Sequence, residues 1–104
     1  MIERHVTFHL HPGRAEAFDA FFRSAYGPAL ARQPGFLGAE LLRPQEGAET
    51  LVLVLRFSDA GAAQAWRESA DHRALSPTLK SFYRSSDVQV LDVLAAQPEA
   101  ARSP

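Results

Sequence analysis

Alternation of apolar and polar residues marks four short stretches of this chain as β-strands with one buried face. In residues 3–10, Val6, Phe8 and Leu10 alternate with polar side chains. The other three predicted strands cover residues 36–43, 50–57 and 87–94. The near-continuous apolar sequence of residues 50–57 predicts a strand in the middle of a sheet, covered on both faces.

Helical periodicity separates the first two strands. Five apolar residues lie at helical spacing and share one face of this helix: Phe18, Phe21, Phe22, Ala25 and Ala29. The pattern predicts a helix over residues 15–32. Pro28 cannot donate a hydrogen bond to the carbonyl group four residues earlier, so we expect a kink at Gly27–Pro28.

A second helical region follows the third strand. Ser58 or Asp59 can cap a helix over residues 60–69, because each side chain accepts hydrogen bonds from free backbone N–H groups. A further helical piece is predicted over residues 71–82, and we expect Ser76–Pro77 to break it.

The elements occur in the order β-α-β-β-α-β, which is that of the ferredoxin-like, split βαβ arrangement. We therefore predict an α+β fold with a four-stranded antiparallel sheet and helices on one face. The other face would be open, and an open apolar face of this size is unusual in a monomer. This predicts a homodimer in which two chains stack their open faces.

The composition is that of one globular domain. The chain has 104 residues, of which 46% are hydrophobic and 22% charged, and this length suits a single domain. After the last predicted strand the sequence AAQPEAARSP carries two prolines and no large apolar side chain. We predict a domain over residues 1–94 and a flexible C-terminal tail over residues 95–104.

Charge and residue usage exclude several classes of protein. The formal charge of -1 lacks the basic excess of general nucleic-acid-binding proteins. The chain contains no cysteine, so it has neither a disulfide framework nor thiol chemistry. No apolar stretch approaches the roughly 20 residues that cross a bilayer, and the first residues lack the apolar core of a signal peptide. We expect a cytoplasmic protein with no nucleic-acid or membrane partner.

Two segments of the sequence resemble a known family. Residues 33–38 read QPGFLG, and residues 57–75 contain Trp66, Ser69 and His72 in a Trp-x-x-Ser-x-x-His pattern. On these residues the chain resembles the antibiotic-biosynthesis-monooxygenase (ABM) domains of the dimeric α+β barrel superfamily. The resemblance in element order covers residues 1–94.

The resemblance implies a barrel closed across a dimer, with a small-molecule cavity between each sheet and its helices. Enzymes of this family oxidise quinols or polycyclic aromatic compounds with molecular oxygen and use no metal, flavin or haem cofactor. For this chain, the resemblance therefore implies that no cofactor is needed. It implies three partners: a second copy of the chain, a small aromatic molecule and molecular oxygen.

A related branch of the superfamily binds and degrades haem. It uses an Asn on strand one, a Trp on the second main helix and a His ten residues after that Trp. Trp66 matches the Trp, but Ser76 stands ten residues later and the first strand contains no Asn. The sequence departs from this pattern at both of the other positions.

Trp66 and His72 are the first candidates for catalytic residues. The Trp66 ring can form the wall of an aromatic-substrate site, and its N–H can bind a quinone or phenolate oxygen; the alternative is a core residue among alanines. A histidine whose pKa is near neutral suits the task of a base, so His72 can take the proton of a phenol or quinol, whose anion then donates an electron to oxygen. The alternative is that His72 joins Ser69 and Asp71 in capping a helix.

Polar residues of the first strand form a second group of candidates. His5, Thr7 and His9 share one face of the strand. They are expected to project into a ligand cavity, with His5 as a second candidate base and Thr7 and His9 as substrate-binding residues. His9 and His11 are two metal-ligand types, but two ligands are too few without a third, and no metal site is predicted. The alternative is that His5, Thr7 and His9 form the polar face of an edge or half-exposed strand.

Arg56 and Tyr26 complete the set. Arg56 interrupts the apolar third strand, where an unpaired charge is costly. It either stabilises an anionic substrate oxygen or pairs with a carboxylate such as Glu40 or Asp92. Tyr26 lies just before the predicted kink, so it is placed either over the mouth of a cavity, as a substrate-binding residue, or on the helix with its hydroxyl in water.

The leading hypothesis is a cofactor-independent monooxygenase that acts on a small aromatic or quinol substrate. In this hypothesis Trp66 packs against the substrate, His72 or a strand-one histidine takes the proton, and Arg56 stabilises the anion. One alternative is a non-catalytic, small-ligand-binding or stress-related dimeric module. Others are a haem-binding or haem-degrading protein, and an isomerase or decyclase that needs no oxygen.

Overall fold

The computed structural model describes residues 1–47 and 49–97. Its four strands are β1 (Ile2–Leu10), β2 (Phe36–Leu42), β3 (Thr50–Phe57) and β4 (Tyr83–Asp92). They form one antiparallel sheet in the order β2-β3-β1-β4. The helices pack on one face of this sheet and enclose the core there. The predicted α+β, ferredoxin-like fold is therefore confirmed.

β3 lies in the middle of the sheet, as its apolar sequence predicted. Its alternate residues Leu51, Leu53, Leu55 and Phe57 are buried on the side of the helices. In the described part of the chain no helix lies on the other face, which we call the open face. The prediction that both faces of β3 are covered is therefore met on the helix side alone, and a second molecule would be needed to cover the open face.

β4 differs most from the prediction, because it begins at Tyr83 rather than at residue 87. It pairs along the whole of β1, with Tyr83 opposite Leu10 and Asp92 opposite Ile2. β4 is an edge strand with mostly exposed side chains. Its first residues are polar because they face solvent, and this conceals the alternation that identifies a half-buried strand.

The first helical region consists of α1 (Ala15–Phe21), a π-helical turn (Phe22–Tyr26) and α2 (Gly27–Ala31). The N–H of Gly27 donates to the carbonyl of Phe22, five residues earlier, which is the hydrogen bond of a π-helix. The irregularity predicted at Gly27–Pro28 is thus present as a wide turn. Pro28 then lies in the first turn of α2, where a missing N–H costs least.

The second helical region consists of α3 (Ala60–Glu68) and α4 (Ala70–Lys80). Asp59 caps α3 by accepting a hydrogen bond of 2.8 Å from the N–H of Ala62. α4 continues through Pro77, so the predicted break there is wrong. A proline has a helical φ, but it removes its own N–H bond and its ring crowds the carbonyl four residues earlier. The helix continues here because the N–H of Ser81 bonds to the carbonyl groups of Pro77 and Thr78 and because Leu79 is buried.

Gly35 brings the start of β2 against α3. Its φ is +78°, and a Cβ atom there would lie 2.6 Å from the Cβ of Ala62, so both the conformation and the space favour glycine. Its carbonyl accepts a hydrogen bond of 2.8 Å from the N–H of Ser58. The contact fixes α3 relative to the sheet and, with it, the residues that α3 carries.

The predicted tail, residues 95–104, falls largely outside the described residues, which end at residue 97. Ala48, in the predicted loop over residues 44–49, also lies outside them. None of the described helices combines the length and the hydropathy needed to cross a membrane.

Candidate active site

A pocket of about 150 Å³ lies between the helix-facing side of the sheet and helices α3 and α4. We call it the Trp66 pocket. Its apolar wall comprises Val6, Phe8, Leu53, Leu55 and Leu79. Its aromatic and polar lining residues are Tyr26, Trp66, Tyr83, Arg4, Arg67, His72 and Ser86. Apolar walls with a few convergent polar groups are typical of small-molecule sites.

Trp66 and Tyr26 form the aromatic part of the pocket. Their ring centroids are 5.4 Å apart and the rings are nearly perpendicular, at 88°, which is a favourable edge-to-face arrangement. Trp66 is 1% exposed and Tyr26 is 4% exposed. Trp66 therefore fills core space, as the alternative prediction held, and lines the pocket at the same time.

The π-helical turn brings Tyr26 to the pocket. In an unbroken α-helix Tyr26 would stand eight residues, or about 80° around the axis, from the buried Phe18. A π-helical turn is wider and advances less per residue, which reduces this offset. Tyr26 is consequently buried, and the alternative prediction of a hydroxyl in water does not describe its position.

Burial raises the pKa of Tyr26 to about 12, although a hydrogen bond with Trp66 acts in the opposite direction. The phenol is therefore uncharged at neutral pH and keeps its proton for hydrogen bonding.

Ser69 ties His72 to Trp66. Its hydroxyl donates to the carbonyl of Trp66 over 2.7 Å, and the same oxygen accepts the N–H of His72 over 3.1 Å. Ser69 is thus the N-cap of α4, and His72 lies in the first turn. The imidazole and indole centroids are 5.2 Å apart at 85°, so the predicted pair lies in one pocket.

Burial lowers the pKa of His72, and the positive charges of Arg4, Arg67 and Lys80 lower it further. Because the ordinary value is 6.5, the ring is uncharged at neutral pH. An uncharged imidazole has one nitrogen that accepts a proton, which is the state required of a base.

Arg4 and Arg67 supply the positive charge of the pocket, and sequence reasoning did not select them. Arg4 is half-buried and Arg67 is exposed. The signal for Arg4 was its position in β1, since it shares the face of Val6 and Phe8. Burial and the neighbouring Arg67 lower the pKa of Arg4, but a guanidinium keeps its charge at neutral pH.

The other predicted residues lie on the open face. They are His5, Thr7, His9 and Arg56. This face is opposite to that of the Trp66 pocket because alternate residues of a strand point to opposite sides of the sheet. The structure therefore does not bring these four residues together with Trp66, Tyr26 and His72.

Arg56 is paired on the open face. It donates to Glu3 over 2.9 Å and to Glu40 over 3.0 Å. The predicted pairing with a carboxylate is thus present, with Glu40 as named and with Glu3 in place of Asp92. Hydrogen bonds from His5 and then Arg56 lower the pKa of Glu3, which favours the charged carboxylate.

The prediction of an apolar open face is wrong, because this face carries both polar and apolar side chains. Besides the cluster around Arg56, His9 lies 2.9 Å from a carboxylate oxygen of Asp87. Val52 lies beside His5 and Thr7. Within residues 1–47 and 49–97, no three His, Asp or Glu side chains are grouped so as to hold a metal ion.

The fold and the pocket define a class: small α+β domains with a ferredoxin-like topology and a small-molecule pocket between sheet and helices. The sequence model of the family described as Antibiotic biosynthesis monooxygenase matches residues 1–77. The chain belongs to this family, which confirms the resemblance found in its sequence. No curated protein is a significant match to the chain.

Solved structures with the same fold include SnoaB of Streptomyces nogalater, described as a cofactor-independent oxygenase. It aligns with a TM-score of 0.81 at 22% identity, over 94% of this chain and 97% of that one. A variant of MhuD with two manganese protoporphyrin IX molecules per active site aligns with a TM-score of 0.80 at 21% identity, over 95% and 100%. A protein of unknown function from Nitrosomonas europaea gives 0.76 at 23% identity, over 96% and 95%.

Proposed function

We propose that this protein is a cofactor-independent monooxygenase that oxidises a small aromatic or quinol substrate with molecular oxygen. The observation that carries the proposal is the presence of Trp66, Tyr26 and an uncharged His72 in one pocket. Membership of the family supports it, as does the likeness in fold to an oxygenase described as cofactor-independent.

The size of the Trp66 pocket favours a small substrate. Its volume of about 150 Å³ is below the roughly 300–1,000 Å³ of sites for drug-sized ligands. One aromatic ring or two fused rings suit this space better than a larger polycycle. The substrate would stack on or beside the Trp66 ring, which lies between Tyr26 and His72.

His72 acts as the base in this proposal. A nitrogen of its ring accepts a proton from a phenol, a quinol or an activated ring CH₂, and the resulting anion passes an electron to oxygen. When a ring CH₂ becomes a carbonyl group, one oxygen atom enters the product. The other leaves as water with the two hydrogens of the CH₂, so that atoms and electrons balance.

Tyr26 and Arg4 assist this step. The Tyr26 hydroxyl stays protonated because burial raises its pKa to about 12, so it donates a hydrogen bond to a substrate oxygen. Arg4 takes the role that the sequence analysis gave to Arg56, because Arg4 lies in the pocket. A fixed positive charge stabilises the substrate anion as it forms.

Oxygen uptake by the purified protein tests the proposal. The substrates are a panel of hydroquinones and naphthols, each with and without a ring carboxylate, and of anthrones, whose three rings test the upper limit of size. The variants are Trp66→Phe and His72→Ala. Protein-dependent uptake is expected with at least one substrate. His72→Ala is expected to lower the rate by about 100-fold or more, which is typical for loss of a general base.

His11→Ala is the matched control, because His11 is exposed in the turn after β1 and lines none of the Trp66 pocket. Equal losses in His72→Ala and His11→Ala would contradict the role of His72. An absence of uptake across the panel would count against an oxygenase, and would favour a binding module or an isomerase.

Haem binding is the second candidate function, and the position of Trp66 favours it. Trp66, the one residue that matches the haem-degrading pattern, lines the pocket. The pocket volume of about 150 Å³ would have to increase to admit a porphyrin. Titration with haemin tests this function: a Soret shift complete at one equivalent supports it, and an unchanged spectrum removes it.

A further inference from the structure

The cations of the Trp66 pocket lack carboxylate partners. No Asp or Glu is among the residues that line the pocket. Among the described residues, the six ion pairs involve neither Arg4 nor Arg67. The guanidinium of Arg67 bonds instead to the neutral amide of Gln64. The charge of the pocket is therefore uncompensated by acidic side chains of this part of the chain.

Three other arginines of the described chain have carboxylate partners, and the half-buried Arg14 lies over the Phe82 ring instead. Arg23 pairs with Asp19 over 2.7 Å, Arg32 with Asp71 over 3.4 Å, and Arg56 with two glutamates. All three are more than a third exposed, so solvent already screens them. Arg4 is half-buried yet has no such partner, although a charge removed from water is costly without one.

The position of Arg4 directs its charge into the pocket. In β1 it precedes Val6 and Phe8 on the same face, and Arg67 lies next to Trp66 in α3. Two guanidinium groups thus lie beside an aromatic surface within one pocket. A guanidinium binds a planar carboxylate with two parallel hydrogen bonds, and these are among the strongest in proteins.

We propose that the Trp66 pocket selects aromatic ligands that carry an anionic substituent, above all an aromatic carboxylate, which Arg4 binds with Arg67 at the pocket's exposed edge. The inference rests on the proposed function in one respect, namely that the ligand is aromatic and occupies this pocket. It adds the class of substrate and the residue that determines it.

The test compares the binding of 2-naphthoate with that of 2-naphthamide, a neutral compound of the same shape. Trp66 is the only tryptophan in the sequence, so its indole N–H gives one recognisable NMR signal at the pocket. Titrations that follow this signal are expected to show tighter binding of the carboxylate, by about tenfold or more, as for a hydrogen bond to a charged group.

Arg4→Gln is expected to remove this preference and to leave the affinity for the amide unchanged. Arg73→Gln is the matched control. It removes one positive charge in the same way, but Arg73 lies in α4, is exposed and does not line the pocket. It should keep the preference. Circular dichroism establishes that both variants are folded.

A second measurement needs no variant. In wild-type protein the affinity for 2-naphthoate is expected to fall with added salt while that for 2-naphthamide does not, because salt screens charge–charge attraction. Equal affinities for the two compounds, or failure of both to shift the indole signal up to their solubility limits, would overturn the inference. So would an equal loss of both affinities in a folded Arg4→Gln variant.

These titrations are independent of oxygen. If carboxylate selectivity is found and no oxygen uptake occurs with any substrate, the inference stands and the monooxygenase proposal fails. If uptake occurs with neutral substrates and no charge preference is found, the monooxygenase proposal stands and the inference fails.

Discussion

Burial of Tyr26 affects both the pocket and the stability of the fold. Its hydroxyl is buried beside Trp66, and burial raises its pKa from 10.0 to about 12. The same phenol is therefore available to donate a hydrogen bond and costly to ionise. Both properties follow from one cause, which is the removal of the side chain from water by the π-helical turn.

The pKa of Tyr26 predicts a loss of stability at alkaline pH. Between pH 10 and 12 the unfolded state loses this proton and the native state keeps it, so the free energy of unfolding falls as the pH rises. The contribution of one such group is about 1.4 kcal/mol per pH unit within that window. Urea unfolding at a series of pH values measures it.

Tyr26→Phe is expected to flatten this part of the pH profile, because phenylalanine carries no proton to lose. Tyr83→Phe is the comparison variant. Tyr83 is the other tyrosine of the chain and has only the smallest of the effects on the pKa of Tyr26, so this variant should keep most of the alkaline loss of stability. If Tyr26→Phe and wild-type protein lose stability in parallel above pH 10, the phenol is not protected from ionisation as described.

At the scale of elements, the π-helical turn depends on Gly27. A Cβ atom at this position would lie 2.9 Å from the carbonyl oxygen of Phe22, which is the acceptor of the Gly27 N–H. A methyl group would push these atoms apart and alter the turn. Tyr26, the preceding residue, would move with it.

Gly27→Ala is expected to destabilise the protein by about 1 kcal/mol, because the steric cost exceeds the gain that alanine brings to a helix. Gly38→Ala is the control: a Cβ atom there meets nothing within 4 Å, and the change should be neutral or slightly stabilising. Chemical unfolding measures both, and the indole NMR signal of Trp66 reports whether the pocket changes. A Gly27→Ala variant as stable as wild type, with an unshifted signal, would contradict this account.

Sequence patterns predicted these elements unevenly, for physical reasons. Where one face is buried, as in β1 and β3, alternation or an apolar run identified the strand and nearly its exact ends. The polar residues at the start of β4 gave no such signal because that edge strand is solvated. The break expected at Pro77 was wrong because one lost hydrogen bond did not outweigh the packing of Leu79 and the bonds of the next turn.

The site was predicted in part. The Trp-x-x-Ser-x-x-His pattern selected Trp66 and His72, and the kink drew attention to Tyr26; all three line one pocket. His5 was selected because it shares a strand face with Thr7 and His9, and Arg56 because it interrupts an apolar strand. Neither pattern tells which face of the sheet the helices cover. Once that face is known, the parity of β1 places His5 outside the pocket and Arg4 inside it.

At the scale of the whole molecule, the open face of the sheet is where we expect a second copy to bind. Val52 and Val54 lie on this face of β3, among polar residues of β1. Val54 is already buried in one chain, whereas Val52 is only half-buried, and two copies that stack these faces would bury Val52 further. Light scattering at micromolar concentration is expected to give twice the mass of one chain.

Val52→Lys is expected to convert the dimer to a monomer, since it places like charges opposite each other where the faces meet. Val90→Lys makes the same substitution in β4 on the helix-facing side, where Val90 is 56% exposed, and should leave the mass unchanged. A wild-type protein with the mass of one chain would contradict the dimer, and a dimeric Val52→Lys variant would place the interface elsewhere.

The link through Ser69 has a consequence for how this molecule can change during evolution. The backbone of Trp66 and that of His72 are linked within seven consecutive residues through the Ser69 hydroxyl, which bonds to one carbonyl and one N–H group. Their spacing therefore does not depend on the strands that form the rest of the wall. Substitutions in β1 or β3 can therefore reshape the cavity and its charge while the backbone positions of Trp66 and His72 stay fixed. Under the proposed function, such substitutions would change the substrate and leave the proposed base in place.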